Sequence, residues 1–344
     1  MKEHGGDIYR YLNNSSSVMD FSANVNAFLD TGALSRYPEL SLKDLQYKIM
    51  KYTGTKTLRV MLGPGLTYFI YKIPVWFGFR RSLVITPNFN EYEASLAVSG
   101  SKVSSLSLNI IKKNPKIIRS YRPDSLFLCS PVNPTGDIVD VDLIEEISEE
   151  MNRFGGILFV DQAFGDFVPD HSEAIVRLAE KTDNIIIGRS LTKILAIPAL
   201  RIGYVLISQQ LFSMIKDMDE PWSICGPAID FVRKVDLNAI REKTILHVNE
   251  ERSYVMEELK KMGLEIIGNP RANFIAFRTP SDIDLKERLI SSGILIRDLS
   301  EYVDLGRNCY RIAIRTRSDN RRLLNAIADA MASDNLRKIP LYKR

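Results

Sequence analysis

Cysteine is scarce in this chain, and the few cysteines form no recognisable pattern. Cys129, Cys225 and Cys309 stand far apart, their number is odd, and no CxxC pair occurs. This spacing argues against a disulfide framework and against a zinc site. The three histidines also lack the spacing of metal ligands, so we predict no metal. Unpaired thiols are typical of a cytoplasmic protein, which is the location we expect.

Long apolar runs are missing as well. Residues 1–7 are polar and contain no apolar region of a secretory signal. The most apolar long stretch, residues 61–79, is interrupted by Gly-Pro-Gly at 63–65, by Lys72 and by Pro74. Such a stretch is a poor membrane span, and we predict no association with a membrane.

An excess of charge of one sign is absent too. The chain has 46 lysines and arginines against 42 aspartates and glutamates, a net charge of +4. This balance argues against a dedicated nucleic-acid surface, and we interpret the basic residues 336–344 as a solvated terminus. No apolar run is followed by a GxGxxG motif, which argues against an oxidoreductase on a dinucleotide fold.

What is present is the pattern of an α/β protein. A chain of 344 residues is longer than one hydrophobic core usually serves, which favours a large and a small domain. Short apolar runs alternate with amphipathic stretches, and this alternation predicts a sheet covered by helices. The predicted strands are residues 82–86, 125–129, 156–160, 184–187 and 201–207, and the predicted helices are 141–154 and 239–262.

The pattern changes beyond about residue 240. A long helix is followed by short apolar runs at 273–278, 294–297 and 310–315, which predict a smaller α+β unit. The segment 220–227 contains Pro, Trp and Gly and is interpreted as a turn between domains. We predict an N-terminal arm over residues 1–28, a large domain over 29–235 and a small C-terminal domain over 236–344.

Polar residues directly follow three of the predicted strands. They are residues 130–136, Asp161, and residues 190–193. In open α/β sheets, ligands bind in the crevice beyond the carboxyl ends of the strands. The three polar clusters therefore point to one crevice.

Lys193 is the first candidate for chemistry in that crevice. A lysine forms a Schiff base when its amine can be neutral, and partial burial promotes the neutral form. Ser190, Thr192 and Arg201 could together bind a phosphate, because a planar cation and hydroxyl donors suit that anion. A lone lysine after a strand would be a solvated surface charge, but the surrounding pattern favours a functional role here.

Asp161 ends a run of apolar residues, so its carboxylate is expected to be buried and to need a cationic partner. A protonated pyridine nitrogen would be such a partner. A structural ion pair would serve equally well, and this residue alone does not decide between them.

Three further features carry weaker indications. Asn133 could donate to a phenolate oxygen, although an ordinary Asn-Pro turn is the commoner explanation. Gly65, with the backbone of Leu66 and Thr67 at a helix start, could hold a phosphate, although a simple turn also fits. Phe89 could stack on a flat ring or belong to the core.

The order of these motifs resembles a known family. Asn-Pro-Thr-Gly at 133–136, Asp-Gln-Ala-Phe at 161–164 and Ser-Leu-Thr-Lys at 190–193, followed by Arg201, are similar to the aspartate aminotransferase superfamily. Arg-Tyr-Pro-Glu at 36–39 resembles its histidinol-phosphate aminotransferase branch. Within that branch the chain is most similar to the L-threonine-O-3-phosphate decarboxylases of cobalamin synthesis. The segments that carry this closer match are 4–8, 20–26, 190–198, 221–223, 271–274, 294–297 and 310–316.

The resemblance implies the type I fold of pyridoxal-phosphate enzymes, with a mostly parallel central sheet, flanking helices and a smaller α+β C-terminal domain. It implies that Lys193 holds pyridoxal 5'-phosphate as a Schiff base and later moves protons at the substrate Cα. It also implies that Asp161 pairs with the ring nitrogen, that Asn133 pairs with the ring oxygen and that Phe89 stacks on the ring. The residues implied for the cofactor phosphate are Ser190, Thr192, Arg201, Gly65, Leu66 and Thr67.

The resemblance also implies a partner and a substrate clamp. Tyr37 is similar to a tyrosine that reaches the cofactor phosphate of the neighbouring subunit, so a homodimer with shared active sites is expected. Arg311 is similar to the arginine that binds the substrate α-carboxylate. Arg297, His4 and Ser22 are further candidates for the carboxylate or phosphate of a small phosphorylated amino acid.

Three positions depart from the family pattern. Phe164 stands where aminotransferases of this branch have a tyrosine that bonds the ring oxygen, and this favours the decarboxylase. Gln162 replaces the usual glutamate, and the sequence offers no explanation for the change. Pro64 and Leu66 alter the usual Gly-Asn-Gly-Glu-Thr loop but leave the backbone donors intact.

The function that the resemblance implies is decarboxylation of L-threonine O-3-phosphate to (R)-1-aminopropan-2-yl phosphate in cobalamin synthesis. The alternative is an aminotransferase acting on histidinol phosphate or a related amino acid. A third hypothesis is a non-catalytic relative that binds cofactor or a partner protein, and the presence of Lys193 and Arg311 argues against it.

Overall fold

Two separate β-sheets organise the part of the chain that the computed structural model describes, which is residues 7–10, 19–26, 28–29, 31–280 and 283–337. The larger sheet has seven strands in the order β1-β7-β6-β5-β4-β2-β3. These strands are β1 (Arg59–Gly63), β2 (Arg81–Thr86), β3 (Lys102–Ser107), β4 (Ser125–Cys129), β5 (Ile157–Asp161), β6 (Ile185–Ser190) and β7 (Gly203–Ile207).

Strands β2, β3, β4, β5 and β6 are mutually parallel, whereas β7 runs antiparallel to both β6 and β1. All residues of β4, β5 and β6 are buried, as expected for parallel strands that are covered on both faces. The prediction of a mostly parallel central sheet is therefore confirmed.

Helices cover both faces of the large sheet. On β5, Leu158 and Val160 pack into one apolar core, while Phe159 packs into the other, because side chains alternate along a strand. The helices of the large-sheet region are α1 (Lys43–Thr53), α2 (Leu66–Phe77), α3 (Glu91–Val98), α4 (Leu108–Lys113), α5 (Ile118–Tyr121), α6 (Val141–Asn152), α7 (Pro169–Ala179), α8 (Leu191–Ile194), α9 (Gln209–Ile215) and α10 (Gly226–Lys234). Short 3-10 helices occupy Ile8–Arg10, Gly32–Ser35, Pro115–Ile117, Gly165–Phe167 and Pro198–Leu200.

The second sheet is antiparallel and follows the long helix α11 (Leu237–Lys261). Its strand order is β10-β11-β9-β8, and the strands are β8 (Glu265–Ile267), β9 (Phe274–Arg278), β10 (Arg297–Asp298) and β11 (Cys309–Ala313). Helices α12 (Leu285–Ser291) and α13 (Arg317–Arg337) complete this unit. The predicted domain boundary between residues 235 and 236 falls between α10 and α11 and stays a prediction, as does the boundary after residue 28.

Some elements differ from the sequence-based expectation. The run 294–297 was expected to be a strand, but only Arg297 joins one, because the backbone N–H of Ile294 bonds to Leu289 O (2.9 Å) in the turn that ends α12. Strands β1, β3 and β8 were not predicted. In β3 the pattern is mostly polar and only Leu106 is buried, so the sequence lacks the apolar run that marks a strand.

A buried ion pair lies beneath the carboxyl ends of β5 and β6. Arg189 and Asp166 are 3.3 Å apart, and each side chain is only 2% exposed. Tyr52 donates to Asp166 (2.9 Å), and Arg189 Nε donates to Gln162 Oε1 (2.9 Å). This arrangement explains the neutral residue at position 162, because the charge of Arg189 is balanced by Asp166 and Gln162 only accepts a hydrogen bond.

No helix among the described residues combines the length and the apolar character that crossing a membrane requires. The apolar stretch 61–79 instead contains the end of β1 and the whole of α2.

Replacing Asp166 by Asn leaves Arg189 buried without its counter-charge. We expect the free energy of unfolding to fall by about 3 to 5 kcal/mol, measured by urea denaturation. Adding Gln162→Glu to this variant returns a carboxylate beside Arg189 and should recover part of the loss. The control is Glu173→Gln, which breaks an exposed pair with Arg177 (3.9 Å) and should cost less than about 1 kcal/mol. If the double variant has as low a free energy of unfolding as Asp166→Asn alone, this account of Gln162 is wrong.

Candidate active site

A cavity of about 190 Å³ lies where β2, β4, β5 and β6 end. Because the carboxyl ends of parallel strands meet at one edge of a sheet, the polar clusters that follow these strands converge. Most of the predicted site residues line this cavity, namely Leu66, Thr67, Phe89, Asn133, Asp161, Ser190, Thr192, Lys193, Arg201 and Arg311.

Lys193 lies on the short helix α8 and lines this cavity. Partial burial lowers the pKa of its amine, and the nearby guanidinium groups of Arg201 and Arg311 lower that pKa further. Asp161 opposes the shift with its negative charge. A lowered pKa increases the neutral fraction of the amine at a given pH, which is the form that attacks a carbonyl carbon.

Several potential anion-binding donors line the cavity. Ser190 Oγ and Thr192 Oγ1 lie 2.8 Å apart, and Arg201 lines the same cavity. Gly65 has a φ of +86°, and a Cβ atom there would lie 2.8 Å from Arg201 Nη2, so only glycine lets the guanidinium approach the start of α2. The first backbone N–H groups of α2, at Leu66 and Thr67, have no partner within the helix and suit a phosphate.

Asp161 is the buried anion of the site. It ends β5, is 3% exposed, and receives hydrogen bonds from Tyr92 Oη (2.5 Å) and from the backbone N–H of Ala163 (2.7 Å). Burial raises the pKa of this carboxyl to about 6, and the two hydrogen bonds and Lys193 oppose the rise. The hydrogen bonds come from neutral donors, so the carboxylate suits a cationic group placed in the cavity.

Asn133 and Arg311 connect the two sheets at the site. Arg311, on β11, donates from Nη1 to Asn133 Oδ1. Its guanidinium carbon lies 5.2 Å from the ring centroid of Phe274, within the range of a cation–π contact. Phe274 in turn meets Phe164 edge to face, with ring centroids 4.8 Å apart. Arg311 is thereby held at the rim of the cavity, opposite the large sheet.

A second, larger cavity of about 920 Å³ shares Phe164, Lys193 and Arg311 with the first. Arg297 lines this cavity and pairs directly with Arg311 in the register of β10 and β11. Side chains of directly paired residues lie on the same face of a sheet, so the two guanidinium groups face the same space. Arg315 and Arg322 also line this cavity.

The remaining predicted residues do not line the 190 Å³ cavity. Ser22 lies on an exposed N-terminal segment, where its hydroxyl donates to Asp20 (2.6 Å). Tyr37 is 41% exposed and stacks on Trp222 with ring centroids 4.5 Å apart. His4 lies outside the described residues. The structure gives the location of the other predicted residues, and the roles of all of them stay predictions.

Two site residues were not identified from the sequence. Tyr92 contacts Asp161 from α3, and Phe274 supports Arg311 from β9. Tyr92 is three positions after Phe89 and therefore on the same side of the helix start, a spacing that could have pointed to it. Phe274 lies in a predicted strand, but its contact with Arg311 depends on the pairing of β9 with β11.

Comparison with known proteins adds to this geometry. The family model described as aminotransferase class I and II matches residues 7–327. The chain belongs to this family. The threonine-phosphate decarboxylase of Salmonella typhimurium is 30% identical over 95% of this chain and 96% of its own length. The predicted family, and the prediction that the chain is an enzyme of this family, are thereby confirmed.

Solved structures agree on the fold. The histidinol-phosphate aminotransferase of Clostridium acetobutylicum superposes with a TM-score of 0.77, at 25% identity over 87% of this chain and 92% of that chain. The histidinol-phosphate aminotransferase of Sinorhizobium meliloti, solved in complex with pyridoxal-5'-phosphate, has a TM-score of 0.75 at 16% identity over 88% of this chain and 85% of that chain. Pyridoxal phosphate is the cofactor of this family, as predicted.

The residues of the cavity fit this cofactor. A buried carboxylate with neutral donors suits a protonated ring nitrogen, and the hydroxyl, guanidinium and backbone donors that line the same cavity suit a phosphate. Lys193 lines the same cavity, close enough to Asp161 and Arg201 for their charges to act on it, and would offer an amine to the aldehyde.

We expect Lys193→Ala to lose covalent attachment of the cofactor. Apoprotein mixed with pyridoxal phosphate and then reduced with borohydride should gain cofactor mass on the peptide that contains residue 193, and the variant should gain none there. Because the pKa of Lys193 is lowered, the rate of trapping should rise with pH and level off below the pKa of an ordinary lysine. Lys286→Ala, at the rim of the larger cavity, is the control and should be trapped as the wild type is.

Proposed function

We propose that this chain is a pyridoxal-phosphate-dependent decarboxylase of L-threonine O-3-phosphate, which forms carbon dioxide and (R)-1-aminopropan-2-yl phosphate for cobalamin synthesis. The observation that carries the proposal is the direct pairing of Arg297 with Arg311 beside Lys193. Like charges directly opposite each other destabilise a sheet, and an anion between them offsets that cost. Two guanidinium groups on one face suit a substrate with both a carboxylate and a phosphate.

Phe164 supports decarboxylation over amino transfer. Its ring lines the cavity and packs edge to face on Phe274, and it has no hydroxyl group to offer a cofactor oxygen. The similarity to the threonine-phosphate decarboxylase of Salmonella typhimurium supports the same proposal.

The proposed mechanism assigns one task to each residue. When bound, pyridoxal phosphate supplies a conjugated ring that takes up the electron pair left by the departing carboxylate. Asp161 holds a proton at the ring nitrogen, and Arg311 orients the substrate carboxylate while Arg297 binds the phosphate. The bond from Cα to the carboxylate carbon breaks and carbon dioxide leaves. The ammonium form of Lys193 then delivers a proton to Cα, and its amine becomes neutral.

A second copy of the chain is part of the proposal. Tyr37 is exposed, and Phe21, Phe28 and Leu34 in the same N-terminal region are also highly exposed, with Phe28 fully so. Apolar side chains of this size favour an interface. We propose a homodimer in which Tyr37 reaches the partner's cofactor phosphate.

The three cysteines are unpaired, which supports a cytoplasmic location.

The direct test is to incubate the cofactor-loaded protein with L-threonine O-3-phosphate without a keto acid and to measure carbon dioxide. We expect release of carbon dioxide together with an equal amount of the amine phosphate, and no release from Lys193→Ala.

The second candidate is histidinol-phosphate aminotransferase activity, which the Clostridium structure favours. Amino transfer from histidinol phosphate to 2-oxoglutarate, without carbon dioxide from threonine phosphate, would overturn the decarboxylase proposal.

Replacing Arg297 by Gln tests the phosphate role. We expect KM for L-threonine O-3-phosphate to rise about tenfold with kcat little changed, because the lost contact binds the substrate and its transition state alike. Arg278→Gln is the matched control, because Arg278 lies on the same sheet but pairs with Glu265 (3.0 Å) outside both cavities. An unchanged KM for Arg297→Gln would assign the phosphate to other residues.

A further inference from the structure

Tyr92 is a buried tyrosine that the proposed mechanism does not use. It lies on α3, has no exposed surface, and its hydroxyl donates to Asp161 Oδ2 (2.5 Å). Burial, followed by the nearby charge of Asp161, raises the pKa of Tyr92 well above its ordinary value. The phenol therefore stays protonated and acts only as a donor toward the carboxylate.

The same ring supports a second side of the cavity. Phe89 packs edge to face on Tyr92, with ring centroids 5.9 Å apart, and the ring of Phe127 is tilted against Tyr92 with centroids 5.6 Å apart. Tyr92 thus touches both the carboxylate at one end of the cavity and the aromatic residue on its wall. Its hydroxyl and its ring contribute separately, and this separation can be tested.

We propose that Tyr92 is a positioning residue, whose hydroxyl orients the Asp161 carboxylate toward the ring nitrogen of the cofactor and keeps it anionic. The inference rests on the proposed role of Asp161. The second oxygen of Asp161 is held by the backbone N–H of Ala163 (2.7 Å), so each oxygen has one protein donor and the carboxylate cannot rotate freely.

The groups around Asp161 leave Tyr92 as its side-chain donor. Cys129, its direct neighbour on β4, makes its hydrogen bond to Pro131 O (3.0 Å). Lys193 acts on Asp161 through its charge, without a hydrogen bond between the two in the described chain. Burial alone favours the protonated acid, and the Tyr92 hydrogen bond opposes that tendency.

Tyr92→Phe isolates the hydroxyl, because the ring contacts with Phe89 and Phe127 remain. The apoprotein is titrated with pyridoxal phosphate and with an analogue in which carbon replaces the ring nitrogen. The wild type should bind the natural cofactor more tightly than the analogue. In Tyr92→Phe we expect this preference to fall about five- to tenfold, with affinity for the analogue unchanged. In the loaded enzyme, kcat should fall by a similar factor while KM stays within about twofold.

Tyr52→Phe is the matched control. Tyr52 is also buried and donates to Asp166 (2.9 Å), and it does not line the cavity. Loss of its hydroxyl should therefore leave the preference for the natural cofactor intact. A Tyr92→Phe variant that retains the wild-type preference would overturn the inference, as would equal weakening for both cofactors. The Asp161→Asn variant distinguishes the role of Asp161 from that of Tyr92. If neither the wild type nor Asp161→Asn prefers the natural cofactor, the role of Asp161 itself is wrong, and the inference fails with it.

Discussion

A carboxylate buried at the end of a central strand is the constraint on which this site depends. Asp161 is placed there because β5 lies in the middle of a sheet that is covered on both faces. Transfer of an isolated charge into such an environment is unfavourable unless donors or a counter-ion compensate it. Tyr92 and Ala163 compensate it with hydrogen bonds, and a ring nitrogen that carries a proton would complete the compensation. The position of Asp161 in the fold therefore favours binding of a cationic group next to its carboxylate.

The antiparallel sheet completes the site from the opposite side. Arg311 reaches Asn133, and the loop before β9 is tied to the loop after β4 by bonds from Asn269 N–H to Asp137 (2.7 Å) and from Arg271 N–H to Gly136 O (2.9 Å). These contacts set where the guanidinium of Arg311 lies relative to the strand ends. Binding of a substrate anion and binding of the cofactor ring thus involve residues that touch one another.

The buried pair of Arg189 and Asp166 balances its charges without a carboxylate at position 162. Arg189 directly precedes Ser190, so its side chain is fixed beneath the residues that surround the cavity. Asp166, four positions after Gln162, supplies the negative charge, while Gln162 keeps the hydrogen bond. A substitution that looks unexplained in one motif is compensated by a residue outside it.

The sequence by itself determined the family, the parallel core and most residues of the cavity. Apolar runs mark buried strands such as β4 and β5, and the polar residues that follow them, Asp161 and Lys193 among them, must meet at one edge when those strands are parallel. The polar strand β3 and the short strand β8 were not predicted, because their sequences lack a run of buried apolar residues. Only the tertiary structure decided which distant side chains meet.

Tyr92 and Asp161 are far apart along the chain, whereas Arg297 and Arg311 lie on consecutive strands joined by an irregular loop. Their contacts follow from strand order and register, which depend on the packing of the whole sheet rather than on any local segment. Composition and motif spacing carry the chemistry of individual residues. The distances and electrostatic interactions between those residues arise only when the two sheets fold against each other. They determine how each residue acts in the site.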